Sequence, residues 1–194
     1  MIRLRASESG APRGNASVFE RGFDQLETGE RFETTGRTIT ESDLVSFAAL
    51  TGDRHPLHTD ASWAAASPFG RRVAHGMLVL SYALGLVPFD PAHVVALRGV
   101  DEVVFKRPTY IGDTIRVEGR VESLEPLEGG VGLVTCRWKV LNERDETLVW
   151  AKLRVLWRRA GAASSQQEPD RSGRQAEDAI GSDVQQAIGN EVYL

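Results

Sequence analysis

HGMLVLSYALGLV, residues 75–87, is the stretch on which the fold turns. Ser81, Tyr82 and Gly85 interrupt it, yet its apolar side chains point nearly all round a helix instead of along one stripe. A helix over Gly76 to Val87 therefore has to be enclosed on most of its sides. It is too short to cross a bilayer, which takes ~20 apolar residues, so it reads as a buried helix and implies no membrane role. Immediately downstream the period drops to two. Ile115, Val117 and Val121 alternate with Arg116, Glu118, Arg120 and Glu122; Val134, Cys136, Trp138 and Val140 alternate with Thr135, Arg137 and Lys139. Val149, Ala151, Leu153, Val155 and Trp157 alternate with Lys152 and Arg154, and Leu97 to Phe105 is a further strand candidate. Such strands are antiparallel, with one dry face and one wet face. The dry face needs a cover, and the 76–87 helix is the one element apolar enough to supply it. The expected class is α+β: an antiparallel sheet wrapped around one long buried helix.

Upstream, Arg31 to Ile39 reads as a strand. Thr40 followed by Asp43 is a capping-box-like start for a helix carrying Leu44, Phe47 and Ala48 on one stripe, and Gly52 is its stop. Pro56 biases His55 away from helical geometry, so Asp53 through His58 is expected as an extended loop. A short helix from Asp60 to Ala66 and a loop over Pro68, Gly70, Arg71 and Arg72 complete the connection. Within the buried helix, Gly85 reads as a point of close packing.

The ends differ from this body. Residues 1–17 and 161–194 are poor in aromatics and rich in small and polar residues, so both read as tails around a single domain at 18–160. In the second, Ile180, Val184 and Ile188 fall at helical spacing, a pattern for a short docking helix or a frayed end. This tail also holds Glu168, Asp170, Glu177, Asp178, Asp183 and Glu191 against Arg171 and Arg174, which accounts for the whole net charge of -4. The body is balanced and shows no basic stripe, so nucleic acid is not an expected partner. Cys136 is the single cysteine, which excludes an intrachain disulfide and points to a reducing, cytoplasmic setting. The first residues lack the apolar run of a secretory signal.

Chemistry concentrates in TGDRHPLHTD, residues 51–60, which begins where the first helix stops and carries two of the four histidines. A turn explains Gly52, Asp53 and Pro56; it does not explain His55 and His58 beside them. A carboxylate near an imidazole that titrates close to neutral pH is a pair suited to proton transfer. Asp53, His55, His58 and His75 are also metal-ligand types. Neither a HExxH helix nor a cysteine pair accompanies them, so no metal is expected. His93, beside Pro91, reads as a loop residue.

GDRHPLH (52–58), with HGM (75–77) starting seventeen residues after His58, resembles the two-part signature of the MaoC-like, (R)-specific enoyl-CoA hydratases. The resemblance extends over Phe32 to Arg158 and includes Phe69-Gly70, Phe105, Pro108 and Gly112-Asp113. It implies the hot-dog fold, Asp53 and His58 as the catalytic pair, and the backbone N–H of Gly76 as the donor to an oxyanion. It implies no cofactor. His75 reads either as shaping the helix start or as touching substrate, and His55 is a further candidate to touch substrate. Two positions depart from the family's pattern: His55 stands where it usually has Asn, and Leu84 stands where the better-known short-chain members have Ser. The implied activity is reversible hydration of a trans-2-enoyl thioester, in fatty acid or polyketide metabolism. Its rivals are a dehydratase for carrier-protein-linked, branched or dicarboxylic acyl thioesters, a thioesterase, and a non-catalytic acyl-thioester binding subunit. The implied partners are acyl-CoA or an acyl-carrier-protein thioester and, because sheet edges invite pairing, a second copy in a homodimer or higher homo-oligomer.

Overall fold

The computed structural model describes residues 17–161; the tail at 1–16, most of the acidic tail and its Ile180, Val184, Ile188 pattern lie outside the described residues. After two short 3-10 turns, Val18–Glu20 and Phe23–Gln25, come strands β1 (Arg31–Glu33) and β2 (Arg37–Thr38), then helices α1 (Glu41–Thr51), α2 (Pro56–Thr59), α3 (Ala61–Ala65) and α4 (Gly76–Leu86). Four long strands follow: β3 (Val94–Phe105), β4 (Thr114–Pro126), β5 (Val131–Leu141) and β6 (Thr147–Arg158). The sheet runs in the order β1-β4-β5-β6-β3, with β2 also on β4 and every pairing antiparallel.

The alternation read from the sequence decides which face is dry. Val117, Val121, Val134, Cys136, Trp138, Val140, Val149, Ala151, Leu153 and Val155 are buried and form one cluster with Leu78, Val79, Leu80 and Ala83 of α4. This sheet wrapped on a helix is the hot-dog arrangement. The alternating residues of β4 and β5 point the other way and stay wet.

The strand expected from Arg31 to Ile39 is broken in two. At Thr34 the side chain intrudes on the ladder: the Val117 N–H donates to Thr34 Oγ1 at 3.0 Å, where a continuous strand would offer a backbone carbonyl. Helix α1 starts as expected. The Asp43 N–H donates to Thr40 Oγ1, and the Thr40 N–H donates to the Asp43 carboxylate. Asp43 also accepts from Tyr82 Oη at 2.5 Å, which ties the start of α1 to α4. Gly52 closes α1 at φ 78°, the left-handed conformation that favours glycine.

Helix α4 is enclosed on most sides, as expected: Leu78, Val79, Leu80 and Ala83 are buried and Tyr82, Leu84 and Leu86 pack against the core, while Met77, Ser81 and Gly85 form one exposed stripe at helical spacing, Met77 being 55% exposed. One further expectation is corrected. Gly85 is not a point of close packing, since a Cβ there would meet nothing within 4 Å. The domain expected at 18–160 includes a segment before β1 for which no element was expected. Phe19 and Phe23 are buried there, and Trp157 donates from Nε1 to the Arg21 carbonyl at 2.8 Å.

Candidate active site

Three segments meet at the start of α4. The first is the turn after α1, where the Asp53 N–H donates to Thr51 Oγ1 and the His55 N–H donates to Asp53 Oδ1. The second is α2, a single helical turn in the stretch expected as an extended loop. Pro56 sits at its first position, where a missing N–H costs nothing, and His55 caps it, accepting the Leu57 N–H on Nδ1 at 3.2 Å. The restriction that proline places on its predecessor is obeyed, and the helix begins after it. The third segment is Val73–Ala74, stitched on both sides: the Val73 N–H donates to the Leu57 carbonyl and the Ala74 N–H to the Thr109 carbonyl.

This scaffold orients His58. Its Nδ1–H donates to the Val73 carbonyl at 2.6 Å, which leaves Nε2 as the nitrogen free to accept a proton. Burial, the largest influence, pushes the His58 imidazolium below the usual histidine range; the Val73 carbonyl opposes this, His75 adds to it, and Asp53 opposes it. His75 stacks on His58 with ring centroids 3.9 Å apart and donates from Nε2 to the Asp53 carbonyl at 3.0 Å. One carboxylate oxygen of Asp53 and one ring nitrogen each of His58 and His75 lie within 4.8 Å of one another. That separation is short enough for a single water to bridge with two hydrogen bonds of ~2.8 Å. These three residues are also the described group whose donor types and spacing could hold a metal ion. Nδ1 of His58 and Nε2 of His75 are already committed to backbone carbonyls.

Asp53, His58, His75 and Gly76 line one cleft of about 600 Å³, walled by Phe47, Phe69, Met77 and Phe105, with Lys106 and Arg107 at its rim. Gly76 is the first residue of α4, where N–H groups have no partner within the helix. A Cβ at Gly76 would stand 2.7 Å from Phe105 Cε1, so the ring and the backbone approach as closely as glycine permits. Of the residues singled out from sequence, Asp53, His58, His75 and Gly76 are gathered here. His55 is not among the cleft-lining residues; its ring caps α2 and meets Trp63 edge-on at 5.4 Å. Arg71 lies over the Tyr110 ring and Arg72 pairs with Glu41. The Val73 carbonyl escaped sequence reading, because a backbone acceptor carries no side-chain signature.

A hot-dog scaffold with a carboxylate and imidazoles gathered at the first turn of its buried helix defines the class of protein. The chain belongs to the MaoC-like domain family, whose model matches residues 24–140. It is 31% identical over 130 residues to the (R)-specific enoyl-CoA hydratase of Rhodospirillum rubrum, covering 66% of this chain and 90% of that protein. It is 41% identical over 100 residues to Protein MaoC of Klebsiella aerogenes, covering 51% of this chain but only 30% of that longer protein. Among solved structures, a monoamine oxidase regulatory protein from Archaeoglobus fulgius superposes with a TM-score of 0.68 at 40% identity, covering 71% of this chain and 94% of that one.

Proposed function

We propose that the protein is a hydro-lyase that adds water reversibly to trans-2-enoyl-CoA, giving the (R)-3-hydroxyacyl-CoA. The observation that carries this reading is the convergence of Asp53, His58 and the Gly76 N–H on one cleft. An enoyl thioester is electrophilic at C3 through conjugation with its carbonyl. Water attacks C3 while the pair takes a proton; the negative charge that grows on the thioester oxygen meets the Gly76 N–H; and a proton from the pair goes to C2. No electron leaves the substrate, so no redox cofactor is required. His58 offers Nε2 as the acceptor, and the Asp53 carboxylate holds the water against it. The N-terminus of α4 adds favourable potential for the oxyanion, and one preorganised donor of this kind is worth about 3 kcal/mol. Lys106, which lines the cleft, is a cation suited to the phosphates of coenzyme A, while Arg107 beside it donates to the Thr147 carbonyl and pairs with Glu146. The name of the Rhodospirillum rubrum relative supports the same reaction.

The reading includes a homodimer. Strand β3 has a free edge, and Leu97, Val104 and Phe105 on it are exposed apolar residues, as is Met77 on the uncovered stripe of α4. Such an edge calls for a cover, and a second copy would also shield a cleft in which Asp53 is otherwise exposed.

The test is loss of the conjugated enoyl chromophore across a panel of trans-2-enoyl-CoAs, repeated with Asp53→Asn and His58→Ala. Each variant is expected to lose ~10²- to 10⁴-fold in kcat. Wild-type rates in both variants refute the assignment; acyl-CoA binding without turnover at any chain length favours a binding subunit instead.

A further inference from the structure

His75 precedes Gly76 and caps α4 by position, yet its side chain makes no capping hydrogen bond. The residues that normally serve there are Ser, Thr, Asp and Asn, so helix initiation does not account for a histidine. Its surroundings suggest what does. The residue is 2% exposed. One ring face lies on His58, and Phe47 approaches at 5.0 Å. The Nε2–H donates to the Asp53 carbonyl, and Nδ1 is buried without a hydrogen-bond partner. Among the described residues this is the hydrogen bond that joins Asp53 to the start of the buried helix. The other bonds of Asp53, to Thr51 and His55, stay within its own exposed turn.

We propose that His75 is the positioning residue of the site: it pins the main chain of Asp53 to α4 and seats the ring of His58, and it does not itself touch the acyl thioester. The proposal rests on the Asp53–His58 reading given above. The geometry makes it specific. Phenylalanine could supply the stacking face but not the donor, and glutamine could supply an N–H but not the ring. A second imidazole 3.9 Å from His58 also disfavours a proton on that ring. The charged or titratable groups facing His58 are Asp53 and His55 from the preceding turn and His75 from the head of α4, with Lys106 and Arg107 across the cleft. Of these, His75 is the one stacked on the His58 ring whose own ring also bonds Asp53; His55 meets His58 edge-on at 6.2 Å and bonds Asp53 only through its backbone N–H.

The experiment compares His75→Phe, His75→Gln, Asp53→Asn and His58→Ala with wild type, using kcat and KM for an enoyl-CoA from pH 5 to 9. Losing the tether is expected to lower kcat by ~10- to 100-fold in His75→Phe, the scale of a small misplacement of reacting groups, with KM within about threefold. His75→Gln restores the donor and is expected to recover most of that kcat. Removing the second imidazole moves the acidic limb of its kcat/KM profile upward, and NMR titration of the His58 ring shows the same displacement without reference to turnover. A tenfold rise in KM with kcat retained would assign His75 to substrate binding and overturn the proposal. Wild-type kcat with an unmoved acidic limb in both variants overturns it equally. Should His75→Phe melt below the assay temperature, His75→Gln and the NMR titration decide. If Asp53→Asn and His58→Ala keep wild-type rates, the catalytic reading itself fails; if they are inactive while the His75 variants are normal, only this inference does.

Discussion

Replacing Gly76 by alanine separates the proposed oxyanion role of its N–H from the packing of the helix that carries it. The added Cβ would stand 2.7, 2.8 and 2.9 Å from Cε1, Cζ and Cδ1 of Phe105. These are sub-van-der-Waals contacts with the far end of a side chain that is 48% exposed, so the ring can swing away. The stability cost belongs at the low end of the ~1–3 kcal/mol of overpacking. Alanine's advantage in a helix, at most about 1 kcal/mol over glycine, offsets part of it. Activity should suffer far more. The N–H survives, but a methyl group and a displaced ring occupy the space through which a thioester oxygen must come. Complete loss of one such donor costs about 2.7–4 kcal/mol, or 10²- to 10³-fold in kcat, and that is the ceiling expected here. The assay is kcat for an enoyl-CoA beside the thermal midpoint, for Gly76→Ala and for Gly76→Ala combined with Phe105→Ala. The double variant removes the clash but not the methyl. If the oxyanion argument holds, the midpoint recovers and kcat does not. A Gly76→Ala enzyme within threefold of wild-type kcat, or a double variant with restored turnover, refutes the reasoning.

Further expectations follow from single groups. Because burial holds the His58 imidazolium below its ordinary value of 6.5, the acidic limb of kcat/KM should lie below that pH, and a limb above 6.5 contradicts a neutral His58 base. The same shift has a stability consequence: below about 6.5 the unfolded chain binds a proton at this position that the folded chain resists. His58 therefore makes stability fall as pH drops through that window, a slope that urea titrations should find reduced in His58→Gln. Burial pushes the Cys136 thiol up to about 12, so a disulfide reagent at pH 8 should label it only at the rate of unfolding; fast labelling of native protein would place it in a different environment. On the wet face, Arg31, Arg120, Arg137 and Lys152 stand directly opposite one another across neighbouring strands, and neither Arg31 nor Arg120 has an ion-pair partner among the described residues. Arg120→Glu is expected to stabilise the fold by ~0.2–1 kcal/mol in low salt, with the gain fading as salt screens it; a lower urea midpoint at low salt argues against this.

How far the sequence could be read depended on whether a feature was local. The period of two in β4, β5 and β6 survives in the structure because each inward side chain meets the same apolar layer. The Thr40–Asp43 start and the Gly52 stop of α1 survive because capping is settled within a few residues. The decapeptide pointed to Asp53 and His58 because paired titratable groups are costly to assemble without use. The errors arose where distant backbone intervened. Thr34 breaks its strand by accepting the N–H of Val117, which is distant in sequence, on its side-chain hydroxyl. The apolarity of residues 75–87 implied enclosure on most sides, which the fold supplies; only the stripe left facing outward, Met77, Ser81 and Gly85, had to wait for the packing of the sheet.

What the sequence alone determined is therefore the α+β class, the identity of the covering helix and the residue types available for proton transfer, since these depend on periodicity and on neighbours along the chain. The tertiary structure decided which groups stand together. It turned Nδ1 of His58 to the Val73 carbonyl so that Nε2 stays open, took His55 out of the cleft to cap α2, and placed His75 behind Asp53. The physical reason is that hydrogen bonds to backbone carbonyls carry no signature in the residues that supply them. The direction of an imidazole is set only when chain segments far apart in sequence have packed together.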